Sequence, residues 1–361
     1  MNIIILSSTN STSGGFRQAA YLASGLQAEG NNVYFVCPSG GEAEALLKEM
    51  NLRHVPLPST LRKADKTLRS LMPGNQPVVV HAFHNRGVKL AAYLGTYWRM
   101  LGLPAVCLAH RGVTSRPGNP LPYLLPGIRA YLVNSKACAD TLPLLWRKNR
   151  CHVVNNSIPE QRIIPARPAQ EVRDCLKIPK ECKIIGNVCN DNPQKGAGQA
   201  IQAFALALKC LQPAKLLVVG VSPEKWLPLC EELGIAKDVV LVPKTKNVAD
   251  YMQIMDIMLF PSMFIESQPN VIIEAMSMGL PVIARDVGGV NELLPRQCIF
   301  DPKNEAEISS KLTLFMNNPE LLQQLGKQNA AQKYKFSMEF RLKTVKEHYR
   351  RALAELRSQV H

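Results

Sequence analysis

Two doubly wound α/β domains, each built on a parallel sheet, are the fold class this sequence predicts. Short apolar runs of strand type alternate with helical stretches from the first residues. One segment, Ile158 to Arg173, breaks the rhythm with Pro159, Pro165 and Pro168, and a second series of the same kind follows it. With 361 residues the chain is long enough for two separate cores.

The first series places strands at Asn2–Ser7, Asn32–Cys37, Gln76–His81, Ala105–Ala109, Ala130–Asn134 and His152–Asn155, with helices at Gly14–Glu29 and Gly87–Leu101. The second places strands at Lys183–Val188, Lys215–Val221, Val239–Val242, Ile257–Phe260 and Pro281–Ala284, with a helix at Gln199–Leu208. The expected domains are residues 1–160 and 161–339. A last amphipathic helix, residues 340–361, carries Phe340, Val345, Tyr349 and Leu353 at helical spacing and is expected to return to the first domain.

Hydrophobic content of 46% and a mean hydropathy of -0.05 describe an ordinary globular chain. No apolar run approaches the roughly 18–20 residues that span a bilayer, and Met1–Ser7 lacks the basic start of a signal peptide. The ten cysteines are scattered without a Cys-x-x-Cys pair, which fits a reduced cytoplasmic setting rather than disulfides or zinc. Residues 1–165 hold 18 basic against 7 acidic residues, residues 166–339 are balanced, and residues 340–361 are again basic. The basic half is either a solvated face or attracts an anionic partner: the inner membrane leaflet, a phosphorylated acceptor or, least supported because no binding motif is present, nucleic acid.

The densest chemistry lies in residues 256–289. Ile257–Phe260 reads as a buried strand stopped by Pro261-Ser262. Pro269 suits the first turn of a helix, Gly279 the position past its end, and Pro281 blocks continuation. Glu266 then lies in the loop before the helix and Glu274 about one and a half turns inside it. Ligands of such sheets bind beyond the carboxyl ends of the strands, where helix amino termini attract phosphate. Two carboxylates flanking an anion site suit a hydroxyl-rich, phosphorylated substrate, and a nucleotide sugar has both properties.

Other loops at strand ends carry further candidates. Gly14 and Gly15 open the first helix, where the missing Cβ lets backbone N–H groups approach a phosphate; a plain turn is the alternative. His110 stands at the end of a strand, and His81 and His84 follow an earlier one as wall or acceptor residues. Lys195, in Asn190-Asp-Asn-Pro-Gln-Lys195-Gly196, can reach a diphosphate and offset charge on a leaving group. No Asp-x-Asp motif is present, and a site built on helix dipoles and Lys195 would need neither metal nor cofactor.

The stretch Phe264-Ile-Glu266-Ser-Gln-Pro-Asn-Val-Ile-Ile-Glu274-Ala-Met-Ser-Met-Gly279 resembles the nucleotide-binding motif of retaining GT-B glycosyltransferases of family four. The likeness extends to Gly14-Gly15, His110, Val133-Asn-Ser135, Asn156, Lys195-Gly196 and Asp286-Val-Gly-Gly289. It implies two Rossmann-like domains facing a central cleft. It further implies that Glu274 binds the ribose, and that Glu266 binds the donor sugar with backbone N–H groups of Gln268 and Asn270. Pro269, Val271 and Lys244 would line the nucleotide. Lys195 would neutralise the diphosphate, Gly15 would touch its terminal phosphate from the other domain, and His110 would line the sugar site. Arg17, His84 and Arg111 would face the acceptor. The implied reaction is front-face transfer with retention, to a glycan or phosphorylated glycolipid such as a lipopolysaccharide precursor at the inner membrane face.

The chain departs from the family pattern at three positions. Asn190 stands where an arginine is usual, Lys244 where a glycine is common, and Asn156-Ser157 where the turn usually reads Asn-Gly. The first removes a bidentate contact to the diphosphate, worth roughly a hundredfold in rate, unless Arg17 or another basic residue replaces it. A sugar-nucleotide epimerase or hydrolase of the same fold, or a nucleotide-sugar-binding protein of low activity, are the other readings.

Overall fold

The structure is a computed structural model that describes residues 1–142, 149–211, 213–264, 266–301 and 304–358. The chain divides into two compact units, Met1–Ser157 with Met338–His361, and Ile158–Ser337.

In the first unit, strands β1 (Asn2–Ser7), β2 (Asn32–Cys37), β3 (His54–Pro56), β4 (Val78–Phe83), β5 (Ala105–Arg111), β6 (Ile128–Val133) and β7 (Cys151–Val153) form one sheet ordered β3-β2-β1-β4-β5-β6-β7. Every pairing is parallel. Such a sheet is covered on both faces, so its strands are apolar throughout rather than alternating. Accordingly Ile3, Ile4, Ile5 and Leu6 of β1 are all at most 1% exposed. Ile3, Ile5, Val79 and Leu108 share a core with helix α1 (Gly14–Ala28), while Ile4, Leu6, Val80 and Ala109 point the other way. Helices α2 (Gly41–Glu49), α3 (Leu61–Ser70) and α4 (Asn85–Met100) supply the crossovers after β2, β3 and β4.

The long C-terminal helix, Met338–Arg357, belongs to this unit. Leu342, Val345 and Tyr349 enter the α1 core, and Gly25 of α1 is small because an added Cβ would lie 2.8 Å from Leu342 Cδ1. Residues 359–361 of the expected helix lie outside the described residues.

The second unit carries six parallel strands in the order β10-β9-β8-β11-β12-β13, with β8 (Lys183–Val188), β9 (Ala214–Val219), β10 (Val239–Val242), β11 (Ile257–Phe260), β12 (Val282–Arg285) and β13 (Ile299–Phe300). In both sheets the strand order reverses at one place: between β1 and β4, and between β8 and β11. The loops after those strands therefore flank the crevice where such sheets bind ligands.

Short edge elements differ from the sequence expectation. β3 and β13 have three and two residues and were not expected, and β5 runs two residues beyond Ala109, so that His110 and Arg111 lie within the strand. The proline-rich Ile158–Arg173 is not bare linker, since it contains a 3-10 turn at Glu160–Arg162 and the start of a helix at Ala169–Cys175. No helix among the described residues is long and apolar enough to cross a membrane.

Candidate functional site

In the second unit the β8 and β11 loops meet. Asn192 Oδ1 accepts from Gln194 N at 3.0 Å and closes the turn Pro193–Lys195. Gln194 O in turn accepts from Met263 N at 2.8 Å and Phe264 N at 3.1 Å. Gly196 follows at φ +91, with an imaginary Cβ 2.7 Å from Pro261 O, so only glycine allows the turn to sit this close to β11. This stitching brings Lys195 Nζ into an ion pair with Glu266 Oε1 and places it 4.8 Å from the centre of the Phe264 ring.

A third loop fixes Glu266 from behind. Gly289 N donates to Glu266 O at 2.9 Å, and Gly288, at φ +61, lies so near that a Cβ there would be 1.8 Å from the same oxygen. The glycines of Asp286-Val-Gly-Gly289 thus set the backbone that carries the first carboxylate.

The second carboxylate sits on the helix Asn270–Ser277, whose N-cap is Pro269 and whose end is turned by Gly279 at φ +73. Glu274 is 6% exposed. A carboxylate that deep needs a compensating partner, and the partner is Arg162: its Nε and Nη2 donate to Glu274 Oε1 at 3.0 and 2.9 Å, and its Nη1 donates to Lys246 O at 3.1 Å. Sequence reasoning missed Arg162. It lies 112 residues from Glu274, among prolines, with no spacing or motif to mark it.

Gln268 is buried beside this helix start, whereas Asn190 and Lys244 are exposed. Asn190 Oδ1 accepts from Asn192 N at 3.1 Å, so its side chain shapes the β8 loop. Asp191 is held below the usual carboxylate range by hydrogen bonds from Ser222 and Trp226. Among the described residues no group of three or more His, Cys, Asp or Glu side chains is placed to hold a metal ion.

In the first unit Gly14 and Gly15 begin α1, with Ser13 Oγ accepting from Phe16 N at 3.3 Å as the cap. His84 caps α4 at φ +65, a conformation that costs a non-glycine residue on the order of 1–3 kcal/mol. Its Nδ1 lies 3.1 Å from Ser7 Oγ, and its Nε2 is buried without a partner, 3.2 Å from where a Cβ on Gly15 would be. The glycine thus admits the imidazole, and burial lowers the pKa of His84 to about 4.

His110 stacks on Phe83 with ring centres 4.7 Å apart, and burial, then Arg341, lower its pKa well below the ordinary value. His81 Nδ1 is 2.7 Å from Tyr349 Oη and titrates at about 3, again chiefly through burial. Arg111 is 3% exposed, and its guanidinium is spent on Asn85 Oδ1 at 2.7 Å, Tyr123 Oη at 3.2 Å and Ser115 O. It braces the wall rather than presenting a free charge. Arg17 is partly exposed on the first turn of α1. Arg341 is a further buried cation that sequence reasoning missed, donating to Gln18 O at 3.1 Å and Ser157 Oγ at 3.3 Å, with its pKa lowered by burial to about 10.

Comparison with known proteins agrees with this architecture. Residues 12–162 match the family model described as Glycosyltransferase Family 4, and residues 169–332 match Glycosyl transferases group 1. An N-acetyl-alpha-D-glucosaminyl L-malate synthase of Bacillus anthracis is 33% identical over 137 residues, 37% of this chain and 35% of that protein. The lipopolysaccharide glucosyltransferase WaaG of Escherichia coli is 32% identical over 31% of this chain and 30% of its own length. The chain spans less than half the length of these curated relatives. Among solved structures, Anabaena Alr3699/HepE in complex with UDP superposes with a TM-score of 0.82 at 15% identity, covering 97% of this chain and 99% of that one, a likeness of fold. Two adjoining family models, one for each Rossmann-like unit, lead to one assignment: the protein belongs to the family-four glycosyltransferases.

Proposed function

We propose that the protein transfers a sugar from a nucleoside-diphosphate sugar to a hydroxyl of a glycan or glycolipid acceptor, with retention of configuration and without a metal ion. The observation that carries this reading is the pair of braced carboxylates in the second unit. Glu266 is paired with Lys195 and Glu274 with Arg162, at a helix start beside the strand-order switch. That set offers acceptors for the hydroxyls of ribose and sugar and cations for the diphosphate.

In this reading Glu274 takes ribose hydroxyls and Glu266 takes hydroxyls of the sugar. The acceptor O–H attacks C1 on the face the diphosphate leaves. The C1–O bond to phosphate breaks as the new C1–O bond forms, and the proton passes to a departing phosphate oxygen. Lys195 offsets the charge that develops there. No side chain forms a bond to the sugar, unlike the paired carboxylates of a retaining glycosidase. The names of WaaG and of the Rhizobium meliloti core mannosyltransferase LpsB support a lipopolysaccharide-type acceptor.

A second reading rests on Asn190, which puts an exposed amide rather than a second cation in the β8 loop that carries Lys195. It is a nucleotide-sugar-binding protein of low activity. A thermal-shift screen against nucleoside diphosphates and their sugars, followed by product analysis with lipopolysaccharide-precursor acceptors, tests both. The expected result is stabilisation by one nucleotide and a glycosylated product with the donor's anomeric configuration, insensitive to EDTA. Release of free sugar at the same rate without acceptor would sink the transferase reading.

A further inference from the structure

Helices α3 and α4 cover the same face of the first sheet, with Leu68 of α3 and Val88, Leu94 and Trp98 of α4 in one buried cluster. Trp98 Nε1 donates to Asp65 Oδ1 at 2.6 Å and fixes the two helices side by side. Their outer sides are unusual. On α4, Tyr93 and Tyr97 are each 46% exposed, Met100 81% and Leu101 49%, and with Arg86 and Lys89 they recur every three or four residues along one stripe. On α3, Leu61 is 53% exposed and Arg62, Lys63, Lys66 and Arg69 all face solvent. Single exposed apolar residues are ordinary, but a stripe of them rimmed by charge of one sign marks a contact surface.

The charge identifies the partner. No aspartate or glutamate occurs between Asp65 and Asp140, while that span holds nine lysines and arginines. A second copy of this face would set cations against cations. A surface rich in phosphate and backed by hydrocarbon would instead take both the tyrosine and methionine stripe and its basic rim. We propose that the α3–α4 face rests on an anionic lipid bilayer, with Tyr93, Tyr97 and Met100 at headgroup depth and the α3 lysines against lipid phosphates. The surface lies outside the residues assigned to donor and acceptor, so the inference stands or falls apart from the transferase reading.

The test is co-sedimentation of the full chain with vesicles of phosphatidylcholine and phosphatidylglycerol, and of phosphatidylcholine alone, at low and high salt. Wild type should bind the anionic vesicles and release at high salt. Each lysine or arginine at such a surface contributes about fivefold in partitioning, so Lys63→Glu with Lys66→Glu should weaken binding by about 25-fold or more. The triple variant Tyr93→Ser, Tyr97→Ser, Met100→Ser should also lose at least about tenfold. Its melting temperature and nucleotide-induced thermal shift should remain as in wild type. Equal binding of wild type to neutral vesicles overturns the proposal, as do variants that bind like wild type. So does a dimer in analytical ultracentrifugation that the triple variant dissolves, which assigns the face to self-association.

Discussion

Arg162 offers the sharpest perturbation of the proposed donor site. Arg162→Gln keeps a polar side chain of similar reach but removes the two N–H groups that Glu274 Oε1 accepts at 3.0 and 2.9 Å. Hydrogen bonds to a charged partner contribute about 1.5–3 kcal/mol. Water offsets part of that here, because the Arg162 side chain is 30% exposed, so the lower end, about 1.5 kcal/mol, applies. If Glu274 takes the ribose and Arg162 only aims it, this energy is lost where the ribose is bound, about tenfold in Kd. Calorimetry with the nucleoside diphosphate that stabilises wild type in the thermal-shift screen, and with its 2′-deoxy form, on wild type, Arg162→Gln, Glu274→Ala and the double variant reads it directly. Wild type should prefer the ribonucleotide, Arg162→Gln should lose most of that preference, and the double variant should bind no worse than Glu274→Ala, because the two residues act as one unit. An Arg162→Gln protein that weakens on both nucleotides equally would refute the argument, since the arginine would then be touching the phosphates itself.

Two other perturbations follow from the same geometry. Gly288→Ala forces a Cβ against Glu266 O at a left-handed φ, so transfer should fall at least about tenfold in kcat while nucleotide binding, which the proposed reading assigns to Glu274, changes little; full activity in that variant would show that Glu266 is placed by something else. Acid should destabilise the first unit between about pH 6.5 and pH 4: unfolded histidines take up protons from about pH 6.5 downward, whereas burial holds His84 neutral to about pH 4 and His81 to about pH 3. Unfolding therefore binds protons in that window, and stability drops by about 1.4 kcal/mol per pH unit for each such ring. His84→Asn should flatten the slope of melting temperature against pH, and an unchanged slope would show that other groups set it.

The parts of this fold that were legible in the sequence are those whose chemistry is local. Lys183–Val188 and Ile257–Phe260 stand in the structure with the bounds their apolar runs suggest, because strands buried on both faces carry no alternation to confuse them. His54–Pro56 and Ile299–Phe300 escaped, since an edge strand of three or two residues has one partner and no pattern. The same division runs through the site. Pro269 and Gly279 bracket a helix that puts Glu274 where its spacing indicates. What the carboxylates touch was not legible: Lys195 reaches Glu266 across 71 residues and Arg162 reaches Glu274 across 112, by sheet topology that no local window contains. Nor does sequence reveal that His84 is held at a positive φ against a glycine.

The Lys195–Glu266 pair has a consequence for how the donor enters. The two side chains are 26% and 17% exposed, so their attraction is only partly screened. In the proposed transferase reading a diphosphate competes with Glu266 for the lysine, and Glu266, once released, can turn to the hydroxyls of the sugar. Donor binding is then an exchange of partners in which one ion pair is given up for another. Glu266→Ala removes the competitor, so the nucleoside diphosphate itself should bind as tightly as in wild type or up to about fivefold tighter, the equivalent of about 1 kcal/mol. The nucleotide sugar should lose its extra affinity over the nucleoside diphosphate, and transfer should fall about a hundredfold. Lys195→Ala should weaken both alike. Calorimetry on the two variants separates the roles: if Glu266→Ala weakened nucleoside-diphosphate binding tenfold, the carboxylate would be holding the loop in shape rather than exchanging its cation, and the exchange of partners would be ruled out.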